Sequence, residues 1–98
     1  PYSRVVRIMV RHADYELLHH AAHYLAQRLR HRFAERVMGP VSSALEMLRG
    51  EHRGELLLKI ESGASMRHVR EHLRQAIKEF ELHPKYKGIK VVVDVDAW

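Results

Sequence analysis

The chain contains no cysteine. That excludes disulfides, thiolate zinc sites and a cysteine nucleophile, and it fits a reducing compartment. No apolar run approaches the roughly 20 residues of a membrane-spanning helix, and no signal peptide precedes the first strand, so a membrane is not an expected partner. Walker A, dinucleotide-fingerprint and nucleophile-elbow motifs are also missing. Catalysis by this segment is therefore not expected, and neither is a cofactor. Metal is not expected either. His19 and His23 have the i, i+4 spacing of a helical zinc pair, but no acidic residue of a metalloprotease motif lies between them. Asp94 and Asp96 share a strand face, where carboxylates are more often solvated or paired with arginine than bound to an ion.

What is present describes one small folded unit. Ninety-eight residues support a single domain, 1–98, with one modest core. A hydrophobic content of 46% is that of a folding chain. The formal charge is +5 with all nine histidines neutral. A basic domain favours anionic partners: nucleic acid first, then acidic proteins or lipid headgroups. The plainer reading of the charge is solubility.

The stretch Arg36–Glu61 organises the chain. Gly39-Pro40 is expected to stop a short strand at about Glu35–Val41, because proline fixes φ and donates no hydrogen bond. Ser42–Leu48 reads as a loop or one helical turn. Gly50 and Gly54 bracket a charged turn where positive φ is cheap. A Leu-rich strand, Glu55–Glu61, follows, with Leu56, Leu58 and Ile60 on one face. Before this hairpin, Arg4–Arg11 alternates as a half-buried strand. Asp14 then caps a helix from about Tyr15 to Phe33, whose inner stripe is Leu18, Ala21, Ala22, Leu25 and Leu29. After the hairpin, Ser65 caps a helix from about Met66 to Leu82. His83-Pro84 ends it, and Ile89–Val95 closes the chain as a strand. The predicted fold is α+β: a two-layer β-α-β-β-α-β sandwich, ferredoxin-like or S10-like, with a four-stranded antiparallel sheet and both helices on one face.

Function then falls to the uncovered sheet face, where alternation places Arg7, Met9, Arg11, Leu57, Lys59, Lys90 and Val92. Basic side chains among apolar ones track phosphates, or they form a face that docks on another domain. An RNA-recognition module shares the strand order, but its stacking aromatics are replaced here by Met9, Leu57 and Lys59. The candidate phosphate contacts are Arg49, Arg53, Lys59, Arg7 and Arg11. The alternative basic site is the end of the first helix, Arg28 to Arg36.

Four motifs in order carry a family resemblance. They are Val37-Met38-Gly39-Pro40-Val41, Leu48-Arg49-Gly50-Glu51-His52-Arg53, Leu56-Leu57-Leu58-Lys59 and Val93-Asp94-Val95-Asp96. Together they resemble the C-terminal domain of the PriA (primosomal protein N′) family across essentially the whole chain. His52 stands where the family often has tyrosine, and Ala97 where it commonly has proline. The resemblance implies an excised, non-catalytic DNA-binding domain of a replication-restart helicase that recognises single-stranded or forked DNA at stalled forks. It also implies an ATP-dependent 3'-5' DNA helicase as the full-length protein, with ATP, magnesium and zinc bound elsewhere in it. The implied partners are primosome proteins and the single-stranded-DNA-binding protein, in a bacterial cytoplasm near the nucleoid. A docking module, packing on other helicase domains or holding that protein's acidic tail, is the rival reading.

Overall fold

The computed structural model describes residues 4–42 and 49–96. The expected loop at 43–48 lies outside them. The order is β1 (Arg4–His12), α1 (Tyr15–Phe33), β2 (Val37–Ser42), β3 (His52–Ile60), α2 (Met66–Glu81) and β4 (Lys90–Asp96). Short 3-10 turns at Ala34–Arg36 and Pro84–Tyr86 lead into β2 and β4. The strands form one antiparallel sheet in the order β2-β3-β1-β4, with both helices on one face. This is the predicted ferredoxin-like sandwich.

Alternation creates the core. Val6, Ile8 and Val10 of β1 and Leu56, Leu58 and Ile60 of β3 point under the helices and are buried. They meet Leu18, Ala21, Leu25 and Leu29 of α1 and Val69, Leu73, Ala76 and Phe80 of α2. Each fully buried large side chain contributes roughly 1.5–3 kcal/mol. α1 starts where Asp14 Oδ1 accepts from Leu17 N at 3.1 Å, satisfying one otherwise orphaned donor. Arg32 of α1 donates to Glu79 of α2 at 2.8 Å, which ties the helices together above the core.

Two expectations about the hairpin fail. Gly39-Pro40 does not stop β2; the strand runs through it to Ser42 with a register shift between Met38 and Val41. β2 is an edge strand, so a missing donor and a bulge are tolerated. Gly39 makes the bulge possible: its φ is +104°, and a Cβ there would sit 2.9 Å from Glu55 O. Gly54 does not bracket a turn. β3 begins at His52, and Gly54 lies within it on the helix side, opposite Val10. A Cβ at Gly54 would meet Val10 Cγ2 at 3.1 Å and Ala22 Cβ at 3.7 Å. It is glycine because α1 crosses the sheet there at close range. The positive-φ turn belongs to Arg49 (φ 57°) and Gly50 (φ 78°).

The helix layer does not fully cover the sheet. α2 packs chiefly on α1, and Val93, on the inner face of the edge strand β4, remains 36% exposed.

Candidate nucleic-acid interface

Strand register builds the open face one row at a time. Arg11 pairs with Arg53 on one side and Lys90 on the other. Three cations, Arg53–Arg11–Lys90, thus cross three adjacent strands at one end of the sheet. Directly opposed side chains have Cβ atoms roughly 4.5–5.5 Å apart, and like charges so placed repel. Lys90 is relieved by Glu51, with Nζ 3.2 Å from Oε2. Among the described residues the arginines are not: neither is in an ion pair, and the Nε atoms of Arg11 and Arg53 are buried from solvent with no hydrogen-bond partner there. Arg49 is exposed at the turn four residues ahead of Arg53.

The other predicted contacts do not join this row. Arg7 is ion-paired with Glu55 and lies opposite Asp94 on its second side, so its charge is largely balanced. Lys59 is exposed but lies opposite Val5, six residues along β3 from Arg53, which is roughly 20 Å of strand. Lys90 was placed on the open face by alternation but left out of the contact set. Its approach to Arg11 depends on the β1–β4 register, which periodicity does not encode.

In the alternative basic site at the end of α1, three arginines are engaged in structural bonds, while Arg28 lies over the Tyr24 ring at 5.7 Å and its Nε, like those of Arg32, Arg11 and Arg53, has no hydrogen-bond partner among the described residues. Arg30 donates to Gly39 O at 2.6 Å, Arg32 to Glu79 at 2.8 Å and Arg36 to Glu61 at 2.8 Å. The Glu79 carboxyl is held below its usual pKa chiefly by the bond from Arg32. Arg30 and Arg32 thus staple α1 to β2 and α2, and Arg36 ties the turn after α1 to the residue following β3.

On the outer face of α1, the His19 and His23 rings lie 4.5 Å apart. Among the described residues no group of three or more histidine, aspartate or glutamate side chains could hold a metal ion. Loss of solvation and then the neighbouring His19, Arg30 and His20 push the His23 pKa down. That is the behaviour of a crowded cationic surface.

A second feature lies where α2 fails to cover β4. Leu73, Ile77, Val93 and Val95 floor an open groove of about 520 Å³, and three cations, Arg70, Arg74 and Lys78, rim it together with one carboxylate, Glu81.

The sequence family supplies what such a basic face serves. The model of the primosomal protein N C-terminal domain matches residues 1–98. The chain belongs to that family. As a primosomal protein N C-terminal domain it is a non-catalytic DNA-binding module. Among the solved structures that share its fold are the following two. The de novo designed protein Foldit4 superposes with a TM-score of 0.68 at 13% identity, over 99% of each chain. A hydantoinase/carbamoylase family amidase from Burkholderia ambifaria superposes with a TM-score of 0.59 at 18% identity, covering 98% of this chain and 27% of that one. At such identities the likeness is one of fold alone. No curated protein sequence matches the chain.

Proposed function

We propose that the domain grips single-stranded or forked DNA by its phosphates, at the sheet end where Arg53, Arg11 and Lys90 form a row. Arg49 at the adjoining turn belongs to the same grip. Lys59 extends the path along β3, and Arg7 contributes least because Glu55 already holds it. The observation that carries this reading is the pair of facing arginines with unpartnered Nε atoms. An anion between them relieves repulsion and supplies acceptors together. No aromatic lies on the central strands, so binding is mostly electrostatic and indifferent to base sequence. In the full-length replication-restart helicase, working in the bacterial cytoplasm at stalled forks, this domain holds the branch while the ATP-driven 3'-5' motor acts elsewhere in the chain. A titration of the domain against single-stranded, duplex and forked DNA over a salt series tests it. The three cations of the row alone give a slope of log K against log salt on duplex of roughly −2.7, and contacts from Arg49 and Lys59 steepen it. A slope near zero, or no binding at low salt, sinks the reading.

The groove between α2 and β4 favours a second reading alongside the first. Basic side chains around an apolar floor suit an acidic peptide with a bulky apolar end and a terminal carboxylate, such as the tail of the single-stranded-DNA-binding protein.

A further inference from the structure

The aromatic residues absent from the sheet are gathered elsewhere. Phe80, fully buried at the end of α2, stacks on Tyr86 with ring centroids 5.5 Å apart and planes 6° from parallel. Tyr86 stacks in turn on His83, at 4.5 Å and 27°. Tyr24 of α1 meets His83 edge-on at 5.0 Å and braces the column from the side. The three rings run outward from the core in the order Phe80, Tyr86, His83, and His83 is partly exposed.

The outer ring is held in place. Lys85 N donates to His83 Nδ1 at 3.2 Å, so the ring proton sits on Nε2 and rotation about χ2 is restrained. Pro84 fixes the backbone between them. Lys85 and Lys87 are exposed on either side of Tyr86, and neither takes part in an ion pair among the described residues.

The column also stands at the correct end of the domain. Ile89 N donates to Tyr86 O at 3.1 Å, and the next residue, Lys90, belongs to the cationic row. Gly88 lies against the imidazole of His12, next to Arg11; a Cβ on it would be 3.4 Å from Nε2. Phosphates on the row and a base on the column can therefore belong to one strand.

We propose that the exposed face of His83 is a stacking platform for an unpaired nucleobase, with the flanking phosphates held by Lys85 and Lys87. This rests on the DNA-binding reading and adds to it a preference for a duplex with a single-stranded extension over a blunt duplex. Stacking of this kind is indifferent to base identity, because every base has a π face.

The test compares a blunt duplex with the same duplex carrying a short overhang that contains 2-aminopurine. Fluorescence anisotropy reads affinity, and 2-aminopurine emission reads stacking. The parent domain is expected to bind the overhang DNA more tightly and to quench the probe. His83→Ala is expected to lower overhang affinity about five- to 150-fold, the range for one stacked base, and to abolish the quench. His83→Phe restores both, which a charge contact at this position would not. Lys85→Glu with Lys87→Glu weakens overhang binding while leaving the column intact. An unquenched probe in the parent complex, or an unchanged overhang preference in His83→Ala, overturns the platform alone. If neither DNA binds, the phosphate-grip reading falls and the platform with it.

Discussion

Arg11 of β1 lies directly opposite Arg53 of β3, and among the described residues the Nε atoms of both are buried without a hydrogen-bond partner. Arg7, four residues away on the same strand face, shows the contrast: Glu55 neutralises it. On the proposed DNA-binding reading this pair is where a phosphate sits, and it lies in the half of the open face that also holds Lys90.

Replacing Arg11 and Arg53 together by alanine is expected to flatten the salt slope for duplex DNA by roughly two units and to weaken all sequences alike. Unfolding stability should change by less than about 1 kcal/mol, and upward if at all, because a repulsive pair is removed. Anisotropy and thermal melts on the same preparation check both. An unchanged slope with an intact fold moves the DNA path off this row.

Gly54→Ala tests the close crossing of α1 over β3. The added methyl meets Val10 at 3.1 Å and has Ala22 behind it. Overpacking at such a point costs about 1–3 kcal/mol. Urea unfolding should show a lowered midpoint with an unchanged slope. No loss of stability would mean that the helix and sheet separate more easily than the contact distances imply.

His23 should make the fold acid-sensitive. Its folded-state pKa lies below the ordinary 6.5, through lost solvation and nearby positive charge. The unfolded chain therefore binds that proton more readily, and stability falls as pH drops through the window from about 6.5 to the lower folded value. The contribution is intact above that window. His23→Gln is expected to flatten the stability profile there and leave it unaltered near pH 8. Chemical unfolding across pH settles the difference, and parallel profiles for the two proteins would contradict it.

Arg70→Glu with Arg74→Glu reverses the rim of the α2–β4 groove without touching the sheet row. An acidic peptide ending in a bulky apolar residue and a free carboxylate should lose binding, while duplex affinity changes little. Calorimetric titration with the peptide and its C-terminal amide is the measurement. Equal binding of acid and amide would show that the groove does not read a terminal carboxylate.

Much of this was legible along the chain. Period-two alternation in Arg4–His12 and Leu56–Ile60 named the buried face of each central strand, since neighbouring side chains must point to opposite sides. Asp14 and Ser65 marked both helix starts, because the first N–H groups of a helix need an acceptor. The burial of Leu18, Leu25 and Leu29 followed from their spacing. Gly39-Pro40 and Gly54 misled for a common reason. Whether a proline is tolerated depends on a strand being at an edge, and whether a glycine serves a turn or a crossing depends on what passes over it. Neither fact is local.

Sequence alone therefore determined which residues are core, which face stays open and that the domain is basic; these follow from periodicity and composition. Tertiary structure decided which basic residues lie together. Register set Arg11 between Arg53 and Lys90, left Lys59 at the far end of β3, and gave Arg7 to Glu55. Packing assigned Arg30, Arg32 and Arg36 to holding the fold and stacked His83 on Tyr86. The physical reason is range. Side-chain direction is set by the residue's own backbone, whereas a charge's partner is set by whichever distant strand or helix brings another charge within a few ångströms.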